Sequence, residues 1–162
     1  GLPRPVYRVL WLWQRLRGEV LVNDKRVLLT RHRNGYQLLL RNVVVFNQLL
    51  SSEEAFIQRF RQQYHLHLKG MRGKWRIKCH LFDQHNGALY PLLEGVGSES
   101  GPDEEMWRWI AHKARPTLSV RDERLYDGWQ LSESLESNAL VLYEFTPLVP
   151  RETATEEIHS PR

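Results

Sequence analysis

Ser51-Ser52-Glu53-Glu54-Ala55-Phe56-Ile57-Gln58-Arg59-Phe60-Arg61-Gln62-Gln63-Tyr64-His65-Leu66 is the stretch on which the reading of this chain turns. Ser51 is placed to act as an N-cap, and Glu54 three residues on completes a capping box, so two orphan amides gain partners. Leu50 before the cap and Ala55 after it form a weak hydrophobic staple. Phe56, Phe60 and Tyr64 recur at i, i+4 and i+8 with Ile57 beside them, which makes one apolar face. Arg59, Arg61, Gln62 and Gln63 spread over the remaining surface. The spacing predicts an amphipathic helix over 51–64.

Upstream, Glu19 to Val22 and Arg26 to Thr30 are apolar runs joined by Asn23-Asp24-Lys25, a hairpin signal because Asn and Asp tolerate positive φ. Asn34-Gly35 marks a second turn, with β-structure expected from Tyr36 to Phe46. Residues 6–13 read as a buried strand, with Pro5 as a helix start keeping a helix open. Downstream, Lys74 to Phe82 alternates Trp75, Ile77, Cys79 and Leu81 with Lys74, Arg76, Lys78 and His80. That period of two describes a strand with one dry and one basic face. Asn86-Gly87 is a turn signal after which Ala88 to Leu93 can pair back, and Gly95 to Asp103 reads as a loop. A short acid-started helix is expected from Pro102 to Ala114, stopped by Pro116. Trp129 leads into a capped helical turn, Gln130 to Leu135, and Leu140 to Phe145 is a last strand. The division is a 1–17 extension or strand, one domain over 18–150, and a polar tail over 151–162 that docks on a partner or stays disordered.

At 162 residues the chain suits one domain with a single core, and 41% hydrophobic and 26% charged residues describe a globular rather than a disordered protein. The lone Cys79 excludes an intramolecular disulfide and fits a reducing compartment. No apolar run approaches the roughly 20 residues that cross a bilayer, so no membrane partner is expected. Residues 1–80 carry 16 Lys or Arg against four acids, whereas 81–162 carry seven against 15. Such asymmetry suggests a polyanion facing the first half.

The order hairpin, capped helix, basic strand, long loop and Trp-led turn over about residues 18–136 resembles a Nudix domain. The family signature laid on this chain ends at Leu66. Its glycines fall on Val44 and His65, its first glutamate on Leu50, its Arg-Glu on Gln58-Arg59 and its Glu-Glu pair on Gln62-Gln63. Phe60 and Leu66 occupy apolar positions of the signature, and Trp129 to Leu135 is similar to a stretch that follows in the family. The resemblance implies an α+β fold, a mixed sheet with flanking helices. Magnesium requires hard, preferably anionic oxygens. Gln62, Gln63 and Arg59 deny it those, so the resemblance implies no catalytic residue, no metal, no cofactor and no enzyme activity. A degenerate domain of this kind is similar to one in the large subunit of mitochondrial ribosomes.

The best positive signal is the basic set Arg31, Arg33, Arg41, Arg59, Arg61, Arg72, Lys74, Arg76 and Lys78, interleaved with His32, Tyr36, His65 and His67. That mixture suits phosphates and occasional base stacking. A solvated face balanced by the acidic half is the plainer alternative. Cys79, His80, His85, His65 and His67 lack the paired spacing of a zinc site, and Cys79 reads as core with His80 at the surface. The expectation is a non-catalytic, RNA-binding structural subunit of a ribonucleoprotein with protein neighbours, in mitochondria or otherwise cytoplasmic or nuclear. The alternatives are a divergent Nudix-type hydrolase drawing on Glu94, Glu99, Glu104 and Glu105, and a protein-only scaffold.

Overall fold

The computed structural model describes residues 12, 14–43, 59–83, 86, 103–113 and 115–149, and these fold as two facing antiparallel sheets. β1 (Glu19–Asn23) and β2 (Val27–His32) form the first hairpin. Asp24 closes its turn: one carboxylate oxygen accepts the amides of Arg26 and Val27, both at 2.7 Å. β3 (Gly35–Arg41) follows a turn in which Arg33 takes φ 54°. β5 (Gly73–Phe82), β6 (Thr117–Leu125) and β8 (Leu140–Pro147) complete a six-stranded sheet in the order β1-β2-β3-β8-β5-β6. β4 (Gln62–Leu68) and β7 (Trp129–Leu135) pair with each other as a second sheet. A ten-residue helix, α1 (Glu104–Lys113), precedes β6; the Asp103 side chain accepts the Met106 amide at 2.8 Å and caps its start.

Central strands of a sheet covered on both faces read as continuous apolar runs. Leu38-Leu39-Leu40 of β3 and Leu140 to Tyr143 of β8 are such runs, and every one of these residues is buried. Alternate side chains feed two cores. Between the sheets lie Leu38, Leu40, Tyr64, Trp75, Ile77, Trp129, Val141, Tyr143 and Phe145. On the outer face of the large sheet, Leu28, Leu39, Phe82, Leu140 and Leu142 pack with Leu12, and Leu16 lies against them.

The hairpin at residues 19–32, the strand over 74–82, the helix before Pro116 and the last strand stand as the sequence suggests. The predicted helix over 51–64 keeps Arg59, which is helical, but fails at its C-terminal end. Residues 51–58 lie outside the described part, and Gln62 to Leu68 is a strand whose buried Tyr64 and half-buried Leu66 and Leu68 alternate with exposed His65 and His67. Two periods compete here, four in Phe56-Phe60-Tyr64 and two in Tyr64-Leu66-Leu68, and pairing with β7 selects the second over 62–68. Gln130 to Leu135, expected as a helical turn, is likewise strand, because Trp129, Leu131 and Leu135 fill the intersheet core. Leu12 and Gln14 are helical rather than extended, while residues 6–11 fall outside the described part, as do 88–93, 95–102 and the tail. The fold is therefore not α+β with flanking helices. It is an antiparallel β-sandwich.

Candidate functional site

Glu144 stands on the outer face of β8, directly across from Gln37 of β3 and Lys78 of β5. Its Oε1 accepts Arg15 Nη2 at 2.8 Å and Nε at 3.2 Å, and lies 2.7 Å from His80 Nε2. An ionised carboxylate only accepts, so His80 carries its proton on Nε2. Oε2 accepts Gln37 Nε2 at 3.0 Å. Gln37 also donates to the Arg15 carbonyl at 2.6 Å and accepts the Arg17 amide at 2.8 Å, which ties the segment before β1 to the sheet. Burial pushes the Glu144 pKa up, but the hydrogen bonds from His80, Arg15 and Gln37 and the Arg15 charge outweigh it and lower the value to about 2.

Beside this cluster is a polar hollow of about 420 Å³, lined by Arg15, Arg17, His32, Gln37, Glu144 and Thr146 among others. A carboxylate, an amide and two guanidinium groups converge there, a set able to bind a small polar or anionic ligand. Glu144, Gln37 and Arg15 were not singled out from the sequence. The available signal was Glu144 itself, the one acid inside the apolar run of β8, since a charge in a buried strand needs partners. His80, expected at the surface, is buried because its partner is there.

A second space of about 510 Å³ opens between the sheets, walled by Leu21, Val22, Val27, Leu29, Leu66 and Leu68, with Asp24, His67 and Lys69 among its other residues. On the inner face Tyr143 donates to Glu133 Oε2 at 2.5 Å, and burial and that bond push the tyrosine pKa up. Burial and the nearby Glu133 charge also raise the Cys79 thiol, which keeps it protonated and a poor nucleophile. Among the described residues no group of His, Cys, Asp and Glu could hold a metal ion, and no helix is long and apolar enough to cross a membrane.

The basic set does not form one surface. Lys74, Arg76 and Lys78 share the outer face of β5, and Arg76 is held bidentate by Asp122 at 2.8 and 3.0 Å. Arg33 sits in the β2–β3 turn, and Arg31 pairs with Glu19 at 2.7 Å. Arg41 lies at the far end of β3, about 17 Å along the strand from Tyr36. There it donates to Asn23 and to the Lys25 and Asp24 carbonyls. Arg61 is near the buried Glu136 at 4.0 Å, next to exposed Arg59, while exposed Arg72 precedes β5. The two halves of the sequence interleave in both sheets, so Arg15, Arg61 and Arg76 of the basic half meet Glu144, Glu136 and Asp122 of the acidic half.

No protein-family model matches the chain. Over 142 residues it is 27% identical to an HTH-type transcriptional regulator of Staphylococcus aureus strain COL, covering 87% of this chain and 19% of the regulator. The match to the corresponding regulator of strain MRSA252 has the same extent and identity. Among solved structures, it aligns with a GH39 enzyme from Xanthomonas axonopodis pv. citri at TM-score 0.71 and 14% identity, over 91% of this chain and 31% of that one. A monomeric beta-xylosidase from Caulobacter crescentus CB15 aligns at TM-score 0.68 and 14% identity, over 92% and 32%. The chain thus spans about a fifth of the curated relatives it matches and about a third of these solved enzymes. The fold is one that these glycosidases contain.

These likenesses overturn the Nudix resemblance, and with it the pseudoenzyme and mitochondrial ribosomal attributes: the matched proteins are bacterial regulators and GH39 enzymes. The expectation of no enzyme activity falls too. It rested on glutamates missing from a metal box that this fold does not contain, and the fold's solved neighbours are enzymes.

Proposed function

We propose that this chain is a β-sandwich module of a longer HTH-type transcriptional regulator, serving that regulator's response rather than its reading of DNA. The observation that carries this is the 27% identity running through 87% of the chain, against regulators of which it makes up 19%. Sequence-specific reading by a helix-turn-helix needs two helices joined by a short turn, the second lying in the major groove. Among the described residues the full-length elements are eight strands and α1, and none of them makes such a helix pair. The polar hollow at Glu144 supports a responsive role, since it offers a small polar ligand several convergent groups.

The test compares residues 1–162 with a regulator-length polypeptide containing them. The isolated chain is expected to bind DNA only weakly, without sequence preference and with a steep loss in salt, because phosphate contacts alone drive such binding. The longer polypeptide is expected to bind its own upstream DNA, and removal of residues 1–162 to abolish regulation of a reporter while leaving that binding in place. Sequence-specific binding by the isolated chain, or unchanged regulation after the removal, would sink the proposal. RNA held more tightly than DNA of the same sequence would instead favour an RNA partner for the basic half.

A further inference from the structure

The two sheets are unequal: six strands face two. β4 pairs with β7 alone, so alternate residues of β4 direct their main-chain groups away from the sheet. Arg26 Nη2 donates to the Gln63 carbonyl at 2.6 Å from the β2 side. The Leu68 carbonyl points the other way, toward the residue before β7, where a Cβ on Gly128 would lie 2.2 Å from it. His65 and His67 are in phase with Gln63 and therefore present N–H and C=O to the free edge. Among the described residues, no backbone group outside the β4–β7 pair bonds them.

That edge borders the 510 Å³ cleft, lined from β4 by Leu66, His67 and Leu68, whose far wall is Leu21 and Val22 of β1, 41% and 44% exposed, with Val27 and Leu29 of β2 beneath. A main-chain edge selects an extended backbone about 4.8 Å away, and an apolar floor selects an apolar residue at every second position. The same segment would cover the inner face of β1 and β2, which two strands are too few to cover, and would extend a two-stranded sheet that is marginal by itself.

We infer that this cleft receives an extended, alternately apolar segment as a third strand of the small sheet, and that the segment comes from the same longer polypeptide, outside residues 1–162. The source rests on the regulator reading above. The chain spans 19% of the matched regulators and 31% of the Xanthomonas enzyme, so ample polypeptide lies beside it in proteins of that kind. Of the chain's other segments, the tail over 151–162 is polar and lacks alternation, Leu12 and Leu16 occupy the core on the opposite face of the large sheet, and residues 44–58 and 87–102 lie outside the described part.

Hydrogen–deuterium exchange with residue-level fragmentation tests this on residues 1–162 and on the regulator-length polypeptide. The amides of His65 and His67 are expected to exchange at least ~100-fold more slowly in the longer polypeptide, as newly paired strand amides do. Tyr64 and Leu66, bonded to β7, should be slow in both. Val22→Arg in the longer polypeptide should return His65 and His67 to fast exchange while Tyr64 stays slow, which separates loss of the added strand from loss of the fold. Equal rates for His65 and His67 in the two polypeptides overturn the inference. Slow exchange in the isolated chain also overturns it, pointing to a second copy if protection grows with concentration and to a segment within 1–162 if it does not. DNA binding measured on the same samples keeps the two readings apart. Binding without His65 and His67 protection refutes the added strand alone, and protection without binding refutes the regulator alone.

Discussion

Glu144 shows how one side chain organises its surroundings. It gathers a guanidinium, an imidazole and a carboxamide on two oxygens, and only 18% of its side chain is exposed. Its folded pKa lies below the ordinary 4.5, so it contributes stability that is present above pH 4.5 and lost as pH falls toward about 2. The loss should be on the order of 3 kcal/mol across that window. Urea unfolding at pH 7 and pH 2.5 measures it, and Glu144→Gln should lower stability at pH 7 while flattening the acid dependence. An equally steep acid loss in Glu144→Gln would place the effect on other carboxylates. Cys79 is the second residue with a definite chemical expectation. Its raised thiol pKa and partial burial should slow alkylation by iodoacetamide at pH 8 by about tenfold or more relative to the urea-unfolded chain. Equal rates would contradict that environment.

At the scale of elements, the β6–β7 connection is sterically demanding. Gly128 has φ +84°, donates to the Met71 carbonyl at 2.9 Å, and would drive any Cβ to 2.2 Å from the Leu68 carbonyl. Neither the dihedral angle nor the contact admits a side chain, so Gly128→Ala should cost more than ~1 kcal/mol, visible as a lower melting temperature. An unchanged melting temperature would mean that β4 and β7 do not approach as described. β6 poses the opposite problem: it ends the large sheet and is exposed along nearly its whole length. Arg121, Asp122, Glu123 and Arg124 lie along it, and charges on an edge strand discourage pairing with other chains. Arg121→Thr with Glu123→Val should therefore raise aggregation on mild heating, read by light scattering, with little change in the unfolding midpoint.

For the whole molecule, the intersheet core carries the stability. Trp129 from the two-stranded sheet is almost fully buried, with ring centroids 5.0 Å from Tyr143 and 4.9 Å from Phe145 of the large sheet. Trp129→Ala should cost about 3–5 kcal/mol, a large share of the 5–15 kcal/mol that holds a domain together. Chemical denaturation measures this, and a loss below ~1 kcal/mol would mean that the small sheet is not docked. Charge also changes meaning at this scale. The basic first half and acidic second half look like two faces along the chain, yet β5 lies between β8 and β6. Arg76 therefore meets Asp122 and Arg15 meets Glu144 within one molecule.

The sequence by itself determined the elements whose signals are local. Asp24 closes the first hairpin with its own carboxylate, Asp103 caps α1, and Lys74 to Phe82 alternates cleanly enough to be read as strand. Each depends on interactions within a few residues, which any window of the chain contains. β4, β6 and β7 were decided by tertiary structure. Gln62 to Leu68 holds both a fragment of a helical period and a short alternation, and only β7, more than 60 residues away, makes the alternation the stable choice. Thr117 to Leu125 is too charged to announce itself, and becomes strand because β5 offers it a backbone edge. The Glu144 cluster unites residues 15, 37, 80 and 144, a grouping that no spacing in the sequence encodes. Pairing energy between distant segments sets these features, and it has a value only once the chain has brought the partners together.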